Sequence, residues 1–166
     1  NWGWNNTFNY KNFDFSFFVV GFHGFDIYNA THQMGYNLIK SQQVAGVTPM
    51  RELLNRWTPT NTNTNIPGFV NGGTENKDFF STRFVENGSF IKMKSITLGY
   101  TLPETACRAL GITNLRVYAS VQNPFHITNY SGLDPEATMG SPLVQGVDWG
   151  SYPNSRNYLI GLNFSF

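Results

Sequence analysis

Charge is scarce in this chain of 166 residues. Only 13% of its residues are Asp, Glu, Lys or Arg, against about 25% in ordinary soluble domains. The formal net charge is +1 and no basic run occurs, so the phosphate-neutralising footprint of a nucleic-acid binder is missing. One cysteine, Cys107, rules out an internal disulfide and leaves a small filler as its expected role. No run of apolar residues is long enough for a transmembrane helix. The chain opens Asn1-Trp2-Gly3-Trp4, without a Met or a basic leader. An exported protein needs a leader, so the expectation is that one was removed or that the chain begins mid-protein. Nucleophile motifs, paired carboxylates and phosphate loops are also missing, so neither an enzyme nor a cofactor is expected.

Aromatics are plentiful, at 16% with 15 Phe, 8 Tyr and 4 Trp, yet the mean hydropathy is −0.29. Low charge, many aromatics and a polar average coexist when apolar and polar residues alternate, as they do in strands with one face in lipid and one in water. The last stretch shows this best. Tyr158, Ile160, Leu162, Phe164 and Phe166 alternate with Asn157, Leu159, Gly161, Asn163 and Ser165, and none is charged. Leu159 is the one apolar residue out of phase.

Four further stretches alternate. Trp2, Trp4, Phe8 and Tyr10 share a face, and Phe13, Phe15, Phe17 and Val19 follow after a two-residue turn at Lys11-Asn12. Ile96, Leu98 and Tyr100 lie in one strand and Leu115, Val117, Ala119 and Val121 in another. The expected strands are therefore near 2–10, 13–28, 90–102, 114–126 and 157–166. Lys92 and Lys94 fall in phase with Ile96, where a lysine at mid-depth in lipid costs about 2–4 kcal/mol. Either a β-bulge near Lys94-Ser95, which would turn Ile91 and Met93 outward instead, or a position of the lysines above the apolar band is expected. Asp14 and Arg116 fall on the polar face.

Alternation fails over 29–88 and 128–156. The first of these predicts a short helix within His32–Val44, helical spacing over Met50–Trp57, and an ordered Thr-, Asn- and Pro-rich loop after it. Leu102–Thr113 reads as a short connection with one helical turn. Connections thus alternate short, long, short, long. In outer-membrane barrels the short turns are periplasmic and the long loops extracellular, so the C-terminus is expected in the periplasm. Five strands are too few to close a barrel, and open edges are not tolerated in lipid. A piece of a larger barrel is expected.

Several blocks, in order, resemble one family. Leu54-Asn55-Arg56-Trp57-Thr58-Pro59 with Asn65-Ile66-Pro67, Asn87-Gly88-Ser89-Phe90 through Leu98-Gly99-Tyr100-Thr101-Leu102-Pro103, Leu115-Arg116-Val117-Tyr118 through Gln122-Asn123-Pro124-Phe125, and Tyr130-Ser131-Gly132-Leu133-Asp134-Pro135-Glu136 with Gly150-Ser151-Tyr152-Pro153 are similar to SusC/RagA-type TonB-dependent outer-membrane transporters. Pro124 departs from the pattern, which usually has an apolar residue there. The resemblance implies the last five antiparallel strands of an all-β barrel of about 22 strands. It implies import of oligosaccharides or oligopeptides, energy passed from TonB through an N-terminal segment not in these residues, a plug also outside them, and a SusD-like lipoprotein lid. It further implies that Tyr158, Phe164 and Phe166 form the signal read by the barrel assembly machinery. The terminal aromatics also suit an interfacial girdle facing outer-membrane lipid.

Within the loops, Trp57, Tyr130, Trp149 and Tyr152 are the candidate substrate-binding aromatics, because sugar rings and peptides stack on such faces. The competing role is to pin the loops together. His23, His32 and His126 lack zinc-ligand spacing. Asp134, Glu136 and Asp148 supply oxygen but not the spacing of a calcium loop, so turn-making or lid contact is expected of them. Two rival functions remain: an extracellular carbohydrate-binding β-sandwich, whose apolar faces would close on each other, and a passive porin.

Overall fold

The structure, a computed structural model, describes residues 1–36, 50–68, 81–109, 111–137 and 145–166. Among them, no helix is long and apolar enough to cross a membrane. The chain divides into two compact units: 1–25 with 88–129 and 153–166, and 26–87 with 130–152.

The first unit is an antiparallel sheet in the order β1 (Trp2–Tyr10), β2 (Phe13–Phe22), β5 (Phe90–Thr101), β6 (Asn114–Gln122) and β9 (Asn157–Ser165). Strand β7 (His126–Thr128) continues beside β5 where β6 has ended. The β1–β2 hairpin turns at Lys11, which takes a left-handed φ of 53°. Asn12 ties this turn to the end of β5: its Nδ2 donates to the Thr101 carbonyl at 2.7 Å, and its own carbonyl accepts from the Thr101 N–H at 2.8 Å. The β5–β6 connection holds a short helix, α2 (Glu104–Ala109), which buries Cys107.

The β-bulge expected near Lys94–Ser95 is there. Phe18 pairs with Ser95 while Val19 pairs with Met93, so Lys94 is the extra residue. This half-step places Ile91 opposite Gly21 and Met93 opposite Val19, in phase with the apolar row, and turns Lys92 to the other side, where it is only 2% exposed. The lysine problem posed by simple alternation is thereby removed.

Two expected strands are shorter than the alternation suggested. The strand read over 13–28 stops at Phe22, and its last residues form β3 (Asp26–Asn29) in a different sheet. The strand read over 114–126 breaks at Asn123, which adopts φ 51°, before β7 begins. Asparagine is among the few residues that accept this conformation readily. Gly24, at φ 80°, stands at the first break; at the second, Asn123 interrupts the apolar row of Val121 and Phe125, so the sequence already marks the end of that strand's regular part.

The second unit is built on a small sheet in the order β4 (Val85–Asn87), β3, β8 (Val147–Asp148), with β3–β4 antiparallel and β3–β8 parallel. Helix α1 (Ala30–Tyr36) follows β3 directly; the rest of the helix expected within His32–Val44 lies outside the described residues. The helical spacing near Met50 appears as a 3-10 turn over Arg51–Asn55, and a second such turn spans Thr82–Phe84. Phe84 is buried, with its ring edge-on to Tyr28, His32 and Tyr36 at centroid distances of 6.4, 6.1 and 5.8 Å.

Candidate functional site

The first unit offers a two-faced wall. Strand register carries one apolar row straight across the sheet: Phe8, Phe15, Leu98, Ala119, Ile160. The next row on that side is Tyr10, Phe13, Tyr100, Val117, Leu162. The row between them points to the opposite side and reads Asn9, Asp14, Gly99, Tyr118, Gly161, and another opposite row is Thr7, Ser16, Thr97, Ser120, Leu159. The apolar flank is open: Ile160 is 85% exposed, and Trp4, Phe8, Leu98 and Phe164 are exposed as well. An exposed apolar surface of this extent marks contact with a membrane or another protein. The arrangement also separates the first unit from a sandwich, whose apolar flank would be covered.

The polar side has its own construction. Arg116 Nε donates to Asp14 Oδ1 at 2.8 Å, and Nη2 donates to Oδ2. These residues sit on β6 and β2, with β5 between them. The pair can span that strand because Gly99 stands in the way with no side chain. A Cβ there would lie 2.5 Å from Arg116 Nη2 and 2.6 Å from Asp14 Oδ2. The guanidinium also lies 5.0 Å from the centroid of the Tyr118 ring. That ring in turn lies over Gly161, where a Cβ would come within 2.5 Å of Tyr118 Cε1. Further along, Thr97 Oγ1 and Ser120 Oγ share a hydrogen bond of 2.8 Å. The polar side thus carries hydroxyls, amides, the buried Lys92 and the Asp14–Arg116 ion pair, as suits a water-facing wall.

The three residues expected to form the assembly signal share the apolar flank along the last strand, Tyr158 near its start and Phe164 and Phe166 at its other end. Tyr158, Phe164 and Phe166 are all exposed, and the Phe164 and Phe166 rings meet edge-on at 5.4 Å.

The second unit is organised by carboxylates. Asn29 uses both ends of its amide: Oδ1 accepts from the His32 N–H at 2.8 Å, the bond of a helix N-cap, and Nδ2 donates to Glu86 Oε1 at 3.0 Å and Ser131 Oγ at 3.1 Å. Glu86 further accepts from the Ser131 N–H and Oγ, each at 2.8 Å. Burial by itself would push the Glu86 carboxyl up, but the bonds from Ser131, Asn29 and His32 outweigh it and hold the group below the usual carboxylate range. His32 lies between two carboxylates, with Nδ1 3.4 Å from Glu86 and Nε2 3.3 Å from Glu52. The Tyr36 hydroxyl also donates to Glu52 and, with His32, keeps that carboxyl low. Burial first, and then Glu52, pushes the Tyr36 phenol up to about 12.

Asp148 organises the other end of the unit. Its Oδ1 accepts from the Gly150 and Ser151 N–H groups at 2.9 and 3.0 Å, and its Oδ2 from the Tyr130 hydroxyl at 2.7 Å. Gly150, at φ 86°, makes this tight turn. Burial and then Asp148 push the Tyr130 phenol far up. Tyr130 is 6% exposed, so its ring is used inside the unit and presents no face to a substrate. The other loop aromatics differ. Tyr152 is 90% exposed, and Trp57 and Trp149 are about half exposed. The Trp57 ring also covers Gly68, and the Trp57 backbone N–H donates to the Ile66 carbonyl at 2.8 Å. Asp134 Oδ1 accepts from the Glu136 N–H at 3.0 Å, the local bond of a turn. Among the described residues, no three His, Cys, Asp or Glu are grouped as a metal site.

The His32–Glu52–Glu86 cluster was not among the sequence candidates. Its members are 20 and 54 residues apart and fit no local motif, so no sequence spacing could have joined them.

Comparison with known proteins places both units. No family model matches the chain. TonB-dependent receptor P3 of Formosa agariphila is 35% identical over 170 residues, 99% of this chain. The TonB-dependent receptor SusC of Bacteroides thetaiotaomicron is 32% identical over 158 residues, 95% of this chain. The chain spans about one sixth of these relatives, 16% and 14% of their lengths. Among solved structures, the RagAB peptide importer in its open-open state superposes with a TM-score of 0.78 at 28% identity, over 99% of this chain and 17% of that one. The RagAB peptide transporter does so with a TM-score of 0.77 at 28% identity, over 95% and 16%.

Proposed function

Given that this chain has the sequence and fold of one stretch of the SusC/RagA-type TonB-dependent receptors along nearly its whole length, we propose that it forms part of the wall of an outer-membrane barrel that imports nutrients. The observation that carries this reading is the wall itself: one flank of exposed aliphatic and aromatic side chains, the other with hydroxyls, amides and the Asp14–Arg116 ion pair. In a barrel of about 22 strands, the first flank meets lipid and the second lines the interior. The tight turns at Lys11–Asn12 and Leu102–Thr113 are periplasmic, the loops 29–88 and 128–156 extracellular, and the C-terminus periplasmic. Tyr158, Phe164 and Phe166 serve barrel assembly.

The cargo is an oligosaccharide or an oligopeptide, with energy passed from TonB through a segment outside these residues and with a SusD-like lipoprotein as lid. The likeness to RagAB, described as a peptide importer, supports the peptide class. Trp149, Trp57 and Tyr152 are the loop aromatics open to cargo; Tyr130 braces the loop. The chain has no catalytic role.

The test is uptake of defined oligopeptides and oligosaccharides by cells with and without the intact gene, repeated after the proton-motive force is collapsed. Active import is lost in both comparisons. Uptake that survives de-energisation would establish a passive porin instead. Recovery of the intact protein in plain buffer without detergent would return the sandwich reading.

A further inference from the structure

At the end of the first unit's sheet away from the Lys11–Asn12 turn, the apolar flank finishes in one row. Trp2 pairs with Gly21, Gly21 with Ile91, and Ile91 with Ile127. Gly21 leaves a gap in this row, and the Trp2 ring lies over it: a Cβ there would stand 2.2 Å from Trp2 Cε2. Trp2, Ile91 and Ile127 are all exposed, Ile127 at 65%. Two residues beyond Gly21, Ile91 and Ile127 come His23, Ser89 and Asn129. The apolar flank thus turns polar within a single step of the strand period.

An open recess of about 310 Å³ lies across this step, lined by Trp2, Ile91 and Ile127 on one side and by His23, Ser89 and Asn129 on the other. The Ser89 hydroxyl is in use, accepting from the Gly24 N–H at 3.1 Å. His23 and Asn129 are exposed, and both side chains carry N–H donors. The volume is that of about ten waters, which suits a segment of hydrocarbon chain.

Depth supplies the second observation. From Trp2 to Tyr10, the nine residues of β1 span about 27 Å, or about 20 Å of membrane depth at the tilt of a barrel strand. The apolar band of a barrel is about 25 Å tall with aromatics at both borders. With Tyr10, Phe13 and Tyr100 in one row at the turn end, the Trp2 row falls at the opposite border, where hydrocarbon gives way to headgroups. Water in the recess would wet Trp2, Ile91 and Ile127, and a bare hydrocarbon would leave the donors of His23 and Asn129 unused. An acyl lipid satisfies both sides, because its chain ends in an ester or amide carbonyl that accepts hydrogen bonds.

We propose that this recess holds one membrane lipid in a fixed place, with an acyl segment on Trp2, Ile91 and Ile127 and its linking carbonyl accepting from His23 and Asn129. The proposal rests on the reading that the apolar flank faces lipid. It adds one ordered site to a flank that elsewhere meets freely exchanging lipid.

The experiment places the intact protein in phosphatidylethanolamine nanodiscs with a rising fraction of phosphatidylethanolamine carrying a diazirine in one acyl chain. After irradiation, labelled residues are mapped by mass spectrometry. Labelling at 21–23, 89–91 and 127–129 should saturate at a low probe fraction, while labelling of β9 around Ile160 rises in proportion to the probe. Combined His23→Ala and Asn129→Ala should weaken the saturable labelling about tenfold, the effect of two neutral hydrogen bonds lost, with β9 unchanged. Ile127→Trp, at an exposed position, should fill the recess and abolish saturation without removing a donor. Labelling of the recess in simple proportion to the probe would overturn the proposal and leave the flank in lipid. Saturable labelling unchanged in both variants would overturn it as well. Absence of label from β9 and the recess alike would overturn the lipid-facing reading together with it.

Discussion

Replacing Gly99 with alanine should cost stability only while Asp14 and Arg116 are present to resist it. The added methyl would lie 2.5 Å from Arg116 Nη2 and 2.6 Å from Asp14 Oδ2, well inside ordinary contact. Both atoms are the far ends of flexible side chains, so the sheet survives and the ion pair gives way. The two side chains are 27% and 25% exposed, which places the pair between exposed bridges, at about 0.2–1 kcal/mol, and buried ones, at about 3–5 kcal/mol when one partner is removed. Gly99→Ala leaves both partners in place and free to swing into water, so the expected cost is about 1–2 kcal/mol. That range includes the loss of the guanidinium from the Tyr118 face, about 0.5–1 kcal/mol. In an Asp14→Asn, Arg116→Gln background the same substitution should be neutral, or gain up to about 1 kcal/mol because glycine is the weaker strand residue. The assay is urea unfolding of the intact protein in vesicles, run as a double-mutant cycle with a coupling of about 1–3 kcal/mol expected. An equal cost in both backgrounds would show that the backbone of β5, and not the bridging pair, demands glycine.

Depth should govern charge on the apolar flank: Ile160→Arg costs about 2–4 kcal/mol and Tyr158→Arg, near the sheet's end, about 0–1 kcal/mol, and equal costs in the same vesicle titration would contradict a lipid boundary. Tyr130→Phe takes a donor from the buried Asp148 carboxylate and should destabilise the second unit by about 1–3 kcal/mol, read as faster proteolysis of the 130–152 segment with the sheet's circular dichroism unchanged. The Glu86 carboxyl is held low in the folded state. Its contribution is therefore present above the unfolded-state value and is lost as pH falls through the folded one. Proteolytic sensitivity of the second unit should rise on acidification from about pH 5 to about pH 3, and Glu86→Gln should flatten that rise. Removing Phe166 should lower the amount of protein inserted in the outer membrane several-fold while leaving the stability of the inserted fraction unchanged; unaltered insertion would reduce Phe166 to a girdle aromatic.

The sheet was legible because strand periodicity is local. Phe13-Asp14-Phe15-Ser16-Phe17 declares its two faces to any reader, and the conflict between Lys92 and Ile96 pointed to a bulge or to lysines above the apolar band, of which the structure has the bulge. Where the pattern persisted through a change of partner, it misled. Within Gly21–Tyr28 the chain leaves one sheet for another around Gly24, at φ 80°, but a lone glycine in a strand pattern reads equally as a bulge, and Ile27 and Tyr28 suit either sheet. The second unit was illegible for a different reason. Asn29 meets Glu86 across 57 residues and Ser131 across 102, and such side-chain bonds leave no periodic trace. Tyr130 illustrates the consequence: an aromatic in a polar loop reads as a stacking platform or, with more weight here, as a brace, and the 2.7 Å bond to Asp148 shows what it braces.

The most direct test asks what surrounds the side chains of the exposed flank. Nitroxides placed by Ile160→Cys and by Ser120→Cys, each in a Cys107→Ser background of the intact protein in vesicles, report collisions with oxygen, which concentrates in hydrocarbon, and with a water-soluble nickel chelate. Residue 160 should collide with oxygen and be shielded from nickel, and residue 120 should show the reverse. A label at 160 shielded from both reagents, as inside a protein core, or readily reached by nickel, would contradict the account.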